Sequence, residues 1–489
     1  MSQIGLFDGS QPLKITKPIR LIECFAGYGS QALALKYLGA DFEHWKIAEW
    51  AVKSIQAYKD MHFPNDNTDY SEGKDKEWLI DYLFEKGISA DYNQPMTRQQ
   101  ISRMGEQKIR TVYNNIAATH NLVSVCNVKG KDLEITDTDK YNYILTYSFP
   151  CQDLSGAGLG KGMAKGSGTR SGLLWEIERI LDECEKLPQI LLMENVPEVI
   201  GTKNRKSFSD WFCKLESLGY KSYYTIMNGK DYEIPQNRER CFMVSVLGDY
   251  YYNFPNPKPL KLRLKDLLET EVDEKYYLSD KTVEMFVKHT EKKQAQGCGF
   301  RFEPTDGDCV GKCVSTKAES RADDNFIAEI KCEQVGEIQG SGYNEMTGRV
   351  YGSNRLSPTV RTFCGGGQEI KVAVTSAVKS GYEIAEVGDS IDIAYPNSKT
   401  RRGRVGKGVA QTLLTSDHIT VLEDEPHDSS VINNCRIRKL TPKEAFRLMG
   451  VKDEDFERVA KNQSNSSLYH LAGDSIITNC LMAIFKKML

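Results

Sequence analysis

Apolar residues in this chain come in short, dense runs separated by glycine turns and by stretches with helical spacing. Residues 19–25 form one such run and predict a buried strand; residues 30–38 repeat apolar side chains at helical intervals. Gly27 and Gly29 lie between them, so the order is strand, glycine turn, helix. Further strands are predicted at 45–49, 143–147, 190–193 and 241–247. Residues 172–187 predict a helix with Leu173, Leu174, Ile177, Ile180 and Leu181 on one side, stopped by Pro188, and residues 207–218 predict an amphipathic helix. Strands alternating with helices argue for an α/β sheet covered on both faces.

Residues 74–120 break that rhythm. They predict two polar helices, at 78–84 and 99–118, as an insertion over about 70–120 whose role composition does not reveal. The run Phe254-Pro255-Asn256-Pro257-Lys258-Pro259 predicts a stiff linker and a domain boundary. Beyond it the texture changes to Gly, Thr, Ser and Arg with short β-prone runs. Three pieces there resemble one another: Ser315-Thr316 to Ile327, Ser357-Pro358-Thr359 to Ile370, and Ala410-Gln411-Thr412 to Ile419. The second and third are each preceded by Gly-Arg-Val, at Gly348 and Gly403. From Arg436 helix returns. Thr441-Pro442-Lys443-Glu444 is a helix start, and Ile476, Cys480, Leu481, Ile484 and Phe485 share helical spacing ahead of Lys486 and Lys487. The expected organisation is therefore a first domain over 1–256, a second over 257–432, and a segment over 433–489 that completes the first.

Composition narrows this picture. A chain of 489 residues is longer than one core usually holds, and 40% hydrophobic with 27% charged residues is ordinary for a globular protein. A net charge of -3 excludes a polycation, so any nucleic-acid surface must gather its positive charge locally. Arg349, Arg355, Arg361, Arg401, Arg402 and Arg404 are the candidates, with Gly365-Gly366-Gly367 allowing close approach to a groove. Residues 1–14 show no signal-peptide core, and no run predicts a membrane span, so a cytoplasmic protein with no membrane partner is expected. Thirteen cysteines without paired C-x-x-C spacing read as reduced thiols. Cys298, Cys309, Cys313 and Cys332 fit no common zinc spacing, and no metal is assigned.

The candidate chemistry sits at strand ends. Phe25-Ala26-Gly27-Tyr28-Gly29 closes the first strand, where glycines let the backbone approach a ligand. Glu49 ends the next, where an acid can bind a ribose hydroxyl pair. Pro150-Cys151-Gln152 follows a strand directly, and a cysteine there can act as nucleophile if its thiolate is favoured. Taken alone, each of these has a plain structural reading: a tight turn, a solvated acid, one buried thiol among thirteen. Glu194-Asn195-Val196 follows another apolar strand, and a carboxyl there can hold or donate a proton if its pKa is raised. Gln236-Asn237-Arg238-Glu239-Arg240 puts Arg238 and Arg240 on one side of an extended chain, or makes a surface charge cluster.

In this order, these runs resemble the DNA cytosine-5 methyltransferase family, of the bacterial or phage restriction-modification type. Arg438-Lys439-Leu440-Thr441-Pro442-Lys443-Glu444 and Gly473-Asp474-Ser475 continue the match, which frames about residues 19–250 and 436–489. The resemblance implies a Rossmann-like methyltransferase domain with a mixed, mostly parallel sheet, and a smaller β-rich target-recognition domain at 257–432. It implies S-adenosyl-L-methionine as cofactor and double-stranded DNA as partner. It also implies a monomer in the cytoplasm, associated with the nucleoid, that acts alongside a separate restriction endonuclease.

The implied reaction flips the target cytosine out of the duplex, adds Cys151 to carbon 6, and methylates carbon 5. Glu194 would hold nitrogen 3 and the exocyclic amine, Arg240 the base carbonyl oxygen, and Arg238 the cysteine loop, with Gln152 beside the nucleophile. Phe25, Gly27, Tyr28, Gly29, Glu49, Trp50, Pro150, Leu173, Asp474 and Ser475 match cofactor-contacting positions, and residues 155–172 match the family's mobile active-site loop. Two departures stand out. Asp474 occupies a usual Asn position, which replaces donors with acceptors and adds charge. The family's short acidic motif before the cysteine strand has two competing matches, Asn127-Val128 and Asp132-Leu133. A tRNA cytosine-5 methyltransferase shares the catalytic set but normally has a smaller recognition region. A nicotinamide dehydrogenase should show a full dinucleotide glycine pattern, and a non-catalytic relative should lack Cys151 or Glu194.

Overall fold

The computed structural model describes residues 10–154, 162–297, 301–318 and 321–330, separate strands between 334 and 421, and residues 435–489. The chain divides into two compact units. One comprises Met1–Tyr276, Met285–Asn325 and Lys439–Leu489; the other comprises Tyr277–Glu284 and Phe326–Arg438.

The first unit carries a six-stranded sheet. Its strands are β2 (Ile19–Cys24), β3 (Phe42–Ala48), β4 (Asn142–Tyr147), β5 (Ile190–Asn195), β6 (Tyr220–Asn228) and β7 (Glu239–Leu247), in the order β3-β2-β4-β5-β7-β6. A short strand β1 (Gln11–Pro12) pairs separately with β8 (Tyr250–Tyr251). β3, β2, β4 and β5 are parallel, while β7 runs antiparallel to β5 and β6. The central strands are apolar on both faces because helices cover both sides. Those helices include α1 (Ser30–Leu38), α2 (Val52–His62), α6 (Leu174–Glu183) and α7 (Arg205–Ser217). Leu174, Ile177, Ile180, Leu181 and Trp211 bury against Leu145, Tyr147, Leu191 and Met193. β6 was not expected from the sequence. It is an edge strand with Tyr224 and Ile226 exposed, so it lacks the dense apolar run that marked its neighbours.

The insertion is more than two polar helices. It forms α3 (Lys76–Lys86), α4 (Arg98–Ser102) and α5 (Glu106–Ala118), and the expected second helix is split near Gly105. Leu79, Ile80, Leu83, Ile101, Ile109, Val112 and Ile116 give it a core of its own, closed by Ile55 of α2 and by Val123.

Along the chain α8 (Asp280–Ala295) follows, and the second unit contributes β9 (Phe326–Ile330), β10 (Gln334–Glu337), β11 (Arg349–Gly352), β12 (Lys371–Thr375), β13 (Tyr382–Glu386), β14 (Ser390–Asp392), β15 (Val405–Gly406) and β16 (Ile419–Val421). These form sheets in the orders β10-β11-β12-β13 and β15-β14-β16, and β9 pairs with β17 (Cys435–Lys439). Arg355, Arg361, Arg401, Arg402, Arg404 and the Gly365–Gly366–Gly367 run lie outside the described residues, as do residues 155–161 of the glycine-rich loop.

The division falls later than the proline run at 254–259. Residues 257–276 and 285–325 belong to the first unit, because they are fastened to the run that begins at Gln236. Gly311 exchanges backbone hydrogen bonds with Pro235 and Asn237, and Gln236 Oε1 accepts from Val314 N at 3.1 Å.

At the carboxyl end, α9 (Pro442–Arg447) starts on Thr441, whose hydroxyl and Glu444 form a reciprocal cap. α10 (Asp453–Ala460), α11 (Asn465–Asp474) and α12 (Thr478–Met488) follow, and α12 packs on α1. The apolar stretch Asn465–Met488 passes a length-and-composition test for a membrane span, but it is two core helices separated at Ser475.

Candidate active site

Register places the chemistry. Cys24 pairs with Ala48 and with Tyr147, and Tyr147 pairs with Met193, so the four parallel strands end in line. Residues at or just past these ends therefore gather at one edge: Phe25, Glu49, Cys151 and Glu194. β7 enters this edge from the opposite direction, with Asn195 beside Cys241, which brings Arg238 and Arg240 to the same place. A cleft of about 350 Å³ opens there, the size of a small-ligand site. It is lined by Phe25, Gly27, Tyr28, Glu49, Trp50, Pro150, Cys151, Gln152, Leu173, Glu194, Arg238, Arg240, Asp474 and Ser475 among others.

At the nucleophile end, Cys151 is half-buried and Glu194 is 8% exposed. Burial pushes the Cys151 thiol up; Arg240 pulls it down, while Asp474 and Glu194 add to the rise. Burial also raises the Glu194 carboxyl, against the pull of Arg240 and Arg238. Arg240 Nε lies 3.2 Å from Glu194 Oε1, so the carboxyl and the guanidinium are held as a pair beside the thiol.

Arg238 differs from expectation. Its guanidinium does not hydrogen-bond the cysteine loop. It is 4% exposed and donates to Gly473 O at 2.8 Å, Ser475 O at 2.7 Å and Val314 O at 3.0 Å, with Cys313 Sγ at 3.1 Å. Its reach from the start of β7 ends on the segment before α12, so it fastens the carboxyl-terminal helices to the sheet. The cysteine loop is held instead by Asn195, whose Nδ2 donates to Phe149 O at 2.8 Å, and by Ser171, whose Oγ donates to Pro150 O at 2.7 Å.

At the other end, Glu49 is buried, and its carboxyl is pushed up to about 7 by that burial. It accepts from Gly27 N at 2.9 Å and Ala51 N at 2.8 Å, which fixes the carboxyl beside the glycine turn. Asn121 fixes it further, accepting from Glu49 N and donating to Glu49 O. Gly27 has φ of 56° and open space where a Cβ would stand, so the backbone faces the cleft. Gly29 is not in the cleft wall. It precedes α1 at φ 82°, and a Cβ there would lie 2.4 Å from His62 Nε2 and 2.6 Å from Tyr58, so its glycine serves packing. Tyr28 lines the cleft but is 1% exposed, with its ring stacked on Phe446. Asp474 is exposed at the cleft, and the Ser475 hydroxyl is bound to Leu471 O.

Neither candidate for the acidic motif lines the cleft. Asn127 donates to Glu85 O, and Asp132 accepts from Lys129 N. Val123, Ser124, Val125 and Cys126 form that wall. Ser54, Tyr92, Asn93 and His470 line it too, and sequence reasoning missed them. A local backbone signal marks this region. Phe25, Tyr92 and Val123 have φ of 60°, 63° and 71°, a conformation costly for side chains with a Cβ and common at functional sites.

A sheet whose aligned strand ends carry a thiol, a buried carboxyl and a guanidinium beside a ligand-sized cleft defines an enzyme. The chain belongs to the C-5 cytosine-specific DNA methylase family, whose model matches residues 85–489. It is thus a C-5 cytosine-specific DNA methyltransferase. The chain is 38% identical over 271 residues to an orphan methyltransferase of Spiroplasma monobiae, M.SssI, covering 54% of this chain and 68% of that protein. It is 37% identical over 269 residues to a type II methyltransferase of Lactococcus lactis subsp. cremoris, M2.ScrFI, covering 54% and 71%. In fold it is similar to the Dnmt2 methyltransferase of S. pombe, with a TM-score of 0.50 at 13% identity over 96% of this chain and 98% of that one.

Proposed function

We propose that the chain transfers a methyl group from S-adenosyl-L-methionine to carbon 5 of a cytosine flipped out of double-stranded DNA, through a covalent Cys151 adduct. The observation that carries this is the Cys151–Glu194–Arg240 cluster at one end of a cleft whose other end presents Glu49 and an open glycine turn.

The cleft residues suit the cofactor. Glu49 accepts two backbone N–H groups and retains lone pairs for a hydroxyl pair; Gly27 leaves room for close approach; Phe25, Trp50 and Leu173 offer apolar contact. The bound cofactor supplies an electrophilic methyl group. Flipping the base costs a few kcal/mol and is repaid inside the pocket. The Cys151 thiolate forms a bond to carbon 6, and the displaced electron density passes to the ring. Glu194, whose carboxyl is raised, places a proton at nitrogen 3 and accepts from the exocyclic amine, so the adduct does not build up charge. Arg240 faces the base carbonyl oxygen and favours the thiolate. Carbon 5 then takes the methyl group and yields its proton to solvent water, the carbon–sulfur bond breaks to release the Cys151 thiolate, and the nitrogen 3 proton returns to Glu194. Gln152 sits beside the nucleophile, and Asn195 and Ser171 hold its loop.

The second unit is assigned target recognition, and the chain acts as a cytoplasmic monomer on a specific sequence. A type II relative supports a separate restriction endonuclease that shares that sequence. The family's DNA description favours this reading over a tRNA substrate. Bisulfite sequencing of DNA from a bacterial host expressing the chain tests the proposal. The expected result is methylcytosine in one sequence context; unmodified DNA under good expression would overturn it.

A further inference from the structure

The inserted segment reaches the cleft. Its loop at residues 89–95 is docked beside the end of β3: Ser89 N donates to Trp50 O at 2.8 Å, and Val52 N donates to Ser89 O at 2.9 Å. Asp91 Oδ1 accepts from Asn93 N at 2.9 Å and tightens the turn. Tyr92 between them takes a left-handed backbone at φ 63°, which glycine would adopt without strain. Its half-buried ring lies against His470, with centroids 4.2 Å apart and the planes tilted by 39°; its hydroxyl meets Ser54 Oγ at 3.2 Å, and it lines the cleft. His470 also lines the cleft, and among the described residues its buried Nε2 has no hydrogen-bond partner. An orphaned buried nitrogen beside an aromatic face is a ligand-facing corner, because such a group normally finds a partner.

The next residue extends in the other direction. Asn93 Oδ1 accepts from Arg170 Nη2, and Arg170 Nη1 donates to Gln152 Oε1, beside Cys151. The Arg170 backbone N–H is itself fixed to Asp153 Oδ2 at 2.9 Å. Of two consecutive residues of the insertion, Tyr92 thus lies at one end of the active site and Asn93 reaches the other through Arg170.

We propose that this loop completes the active site: Tyr92 is a cofactor-contacting residue, and Asn93 is a positioning residue that sets Gln152 through Arg170. The inference rests on the reading of the cleft as an S-adenosyl-L-methionine site. The ring suits a cationic part of that ligand, with the Asp474 carboxylate near enough to act on Tyr92 electrostatically.

Calorimetric titration of the DNA-free, full-length protein with S-adenosyl-L-methionine tests the first half. Tyr92→Phe should bind as the wild type does, and Tyr92→Leu about tenfold more weakly. Tyrosine nitration of the wild type, read by mass spectrometry, needs no variant: Tyr92 should be protected when the cofactor is added. Asn93→Ala should lower kcat about tenfold with cofactor affinity unchanged, and Asn93→Asp, which keeps the acceptor, should restore it. Wild-type protein that fails to bind the cofactor would overturn the cofactor reading itself. Binding by the wild type, with Tyr92→Leu equally tight and Tyr92 unprotected, would overturn the contact alone. Asn93→Ala at the wild-type rate would overturn the link to Gln152.

Discussion

The two ends of the cleft are built by different means. The nucleophile end is an assembly of side chains on regular strands: Cys151 past β4, Glu194 in β5 and Arg240 in β7, each shifted in pKa or paired by its neighbours. The cofactor end is an assembly of backbone conformations. Gly27, Phe25, Tyr92 and Val123 are left-handed there, and Glu49 is fixed by main-chain donors. One end is thus tuned by charge, the other by shape, and changes at the two should fail differently.

The largest expected effect belongs to the charged end alone. Cys151→Ala should lower methyl transfer by about 10⁴-fold or more, while calorimetric cofactor binding persists. Loss of both would mean that the ends are not separable. Arg238→Ala should strike both ends at once, since it releases three carbonyls from a buried guanidinium. A loss of about 3 kcal/mol in stability by urea denaturation is expected, and unchanged stability would contradict its role as a fastener. Arg240→Ala should keep the fold and cofactor affinity but lower kcat by about 10²-fold. It should also move the ascending limb of the kcat–pH profile to higher pH, because Arg240 holds the thiol down and the thiolate is the nucleophile.

The pH dependence of cofactor binding sharpens the other side. Glu49 is raised to about 7, so the free protein favours its protonated form below that pH. By linkage, this contributes to fold stability below the ordinary carboxylate range and is lost as pH rises towards 7. Ligand hydroxyls donate to the ionised form, so binding should release a proton. Affinity should fall by up to about tenfold per pH unit below 7 and level off above it. Calorimetry in buffers of different ionisation heat would detect the proton. The smallest effect is expected at Asp474, whose charge acts on both Cys151 and Glu49. Asp474→Asn should shift iodoacetamide labelling of Cys151 to slightly lower pH.

This contrast also explains what could be read without a structure. Three of the parallel strands, β2, β4 and β5, were legible because dense apolar runs led to glycine or proline within a few residues, with motif residues at those ends. Cys151 and Glu194 stood out this way, Arg240 by preceding a strand, and the ordered family motifs gave all three their roles. β6 was not, because an edge strand needs no apolar run on both faces. Arg238 belongs to the cleft as expected, but its carbonyl partners at Gly473 and Ser475 were not legible because they are over two hundred residues away. Gly29 was placed with the ligand because a glycine that spares a ligand and one that spares His62 look alike. Tyr92 and Val123 carried no motif, and a left-handed φ leaves no trace when the residue adopting it is not glycine. The split of the insertion at Gly105 was legible in principle, since glycine there interrupts the apolar spacing.

Arg238 also has a bearing on synthesis. Two of its carbonyl partners are 235 and 237 residues downstream, so a ribosome must reach Ser475 before this guanidinium is fully satisfied. A nascent or prematurely released polypeptide ending before α11 would hold the thiol and all six strands yet leave the Arg238 guanidinium without two of its three carbonyl acceptors. Full closure of the site therefore waits on synthesis of the segment that carries Gly473 and Ser475.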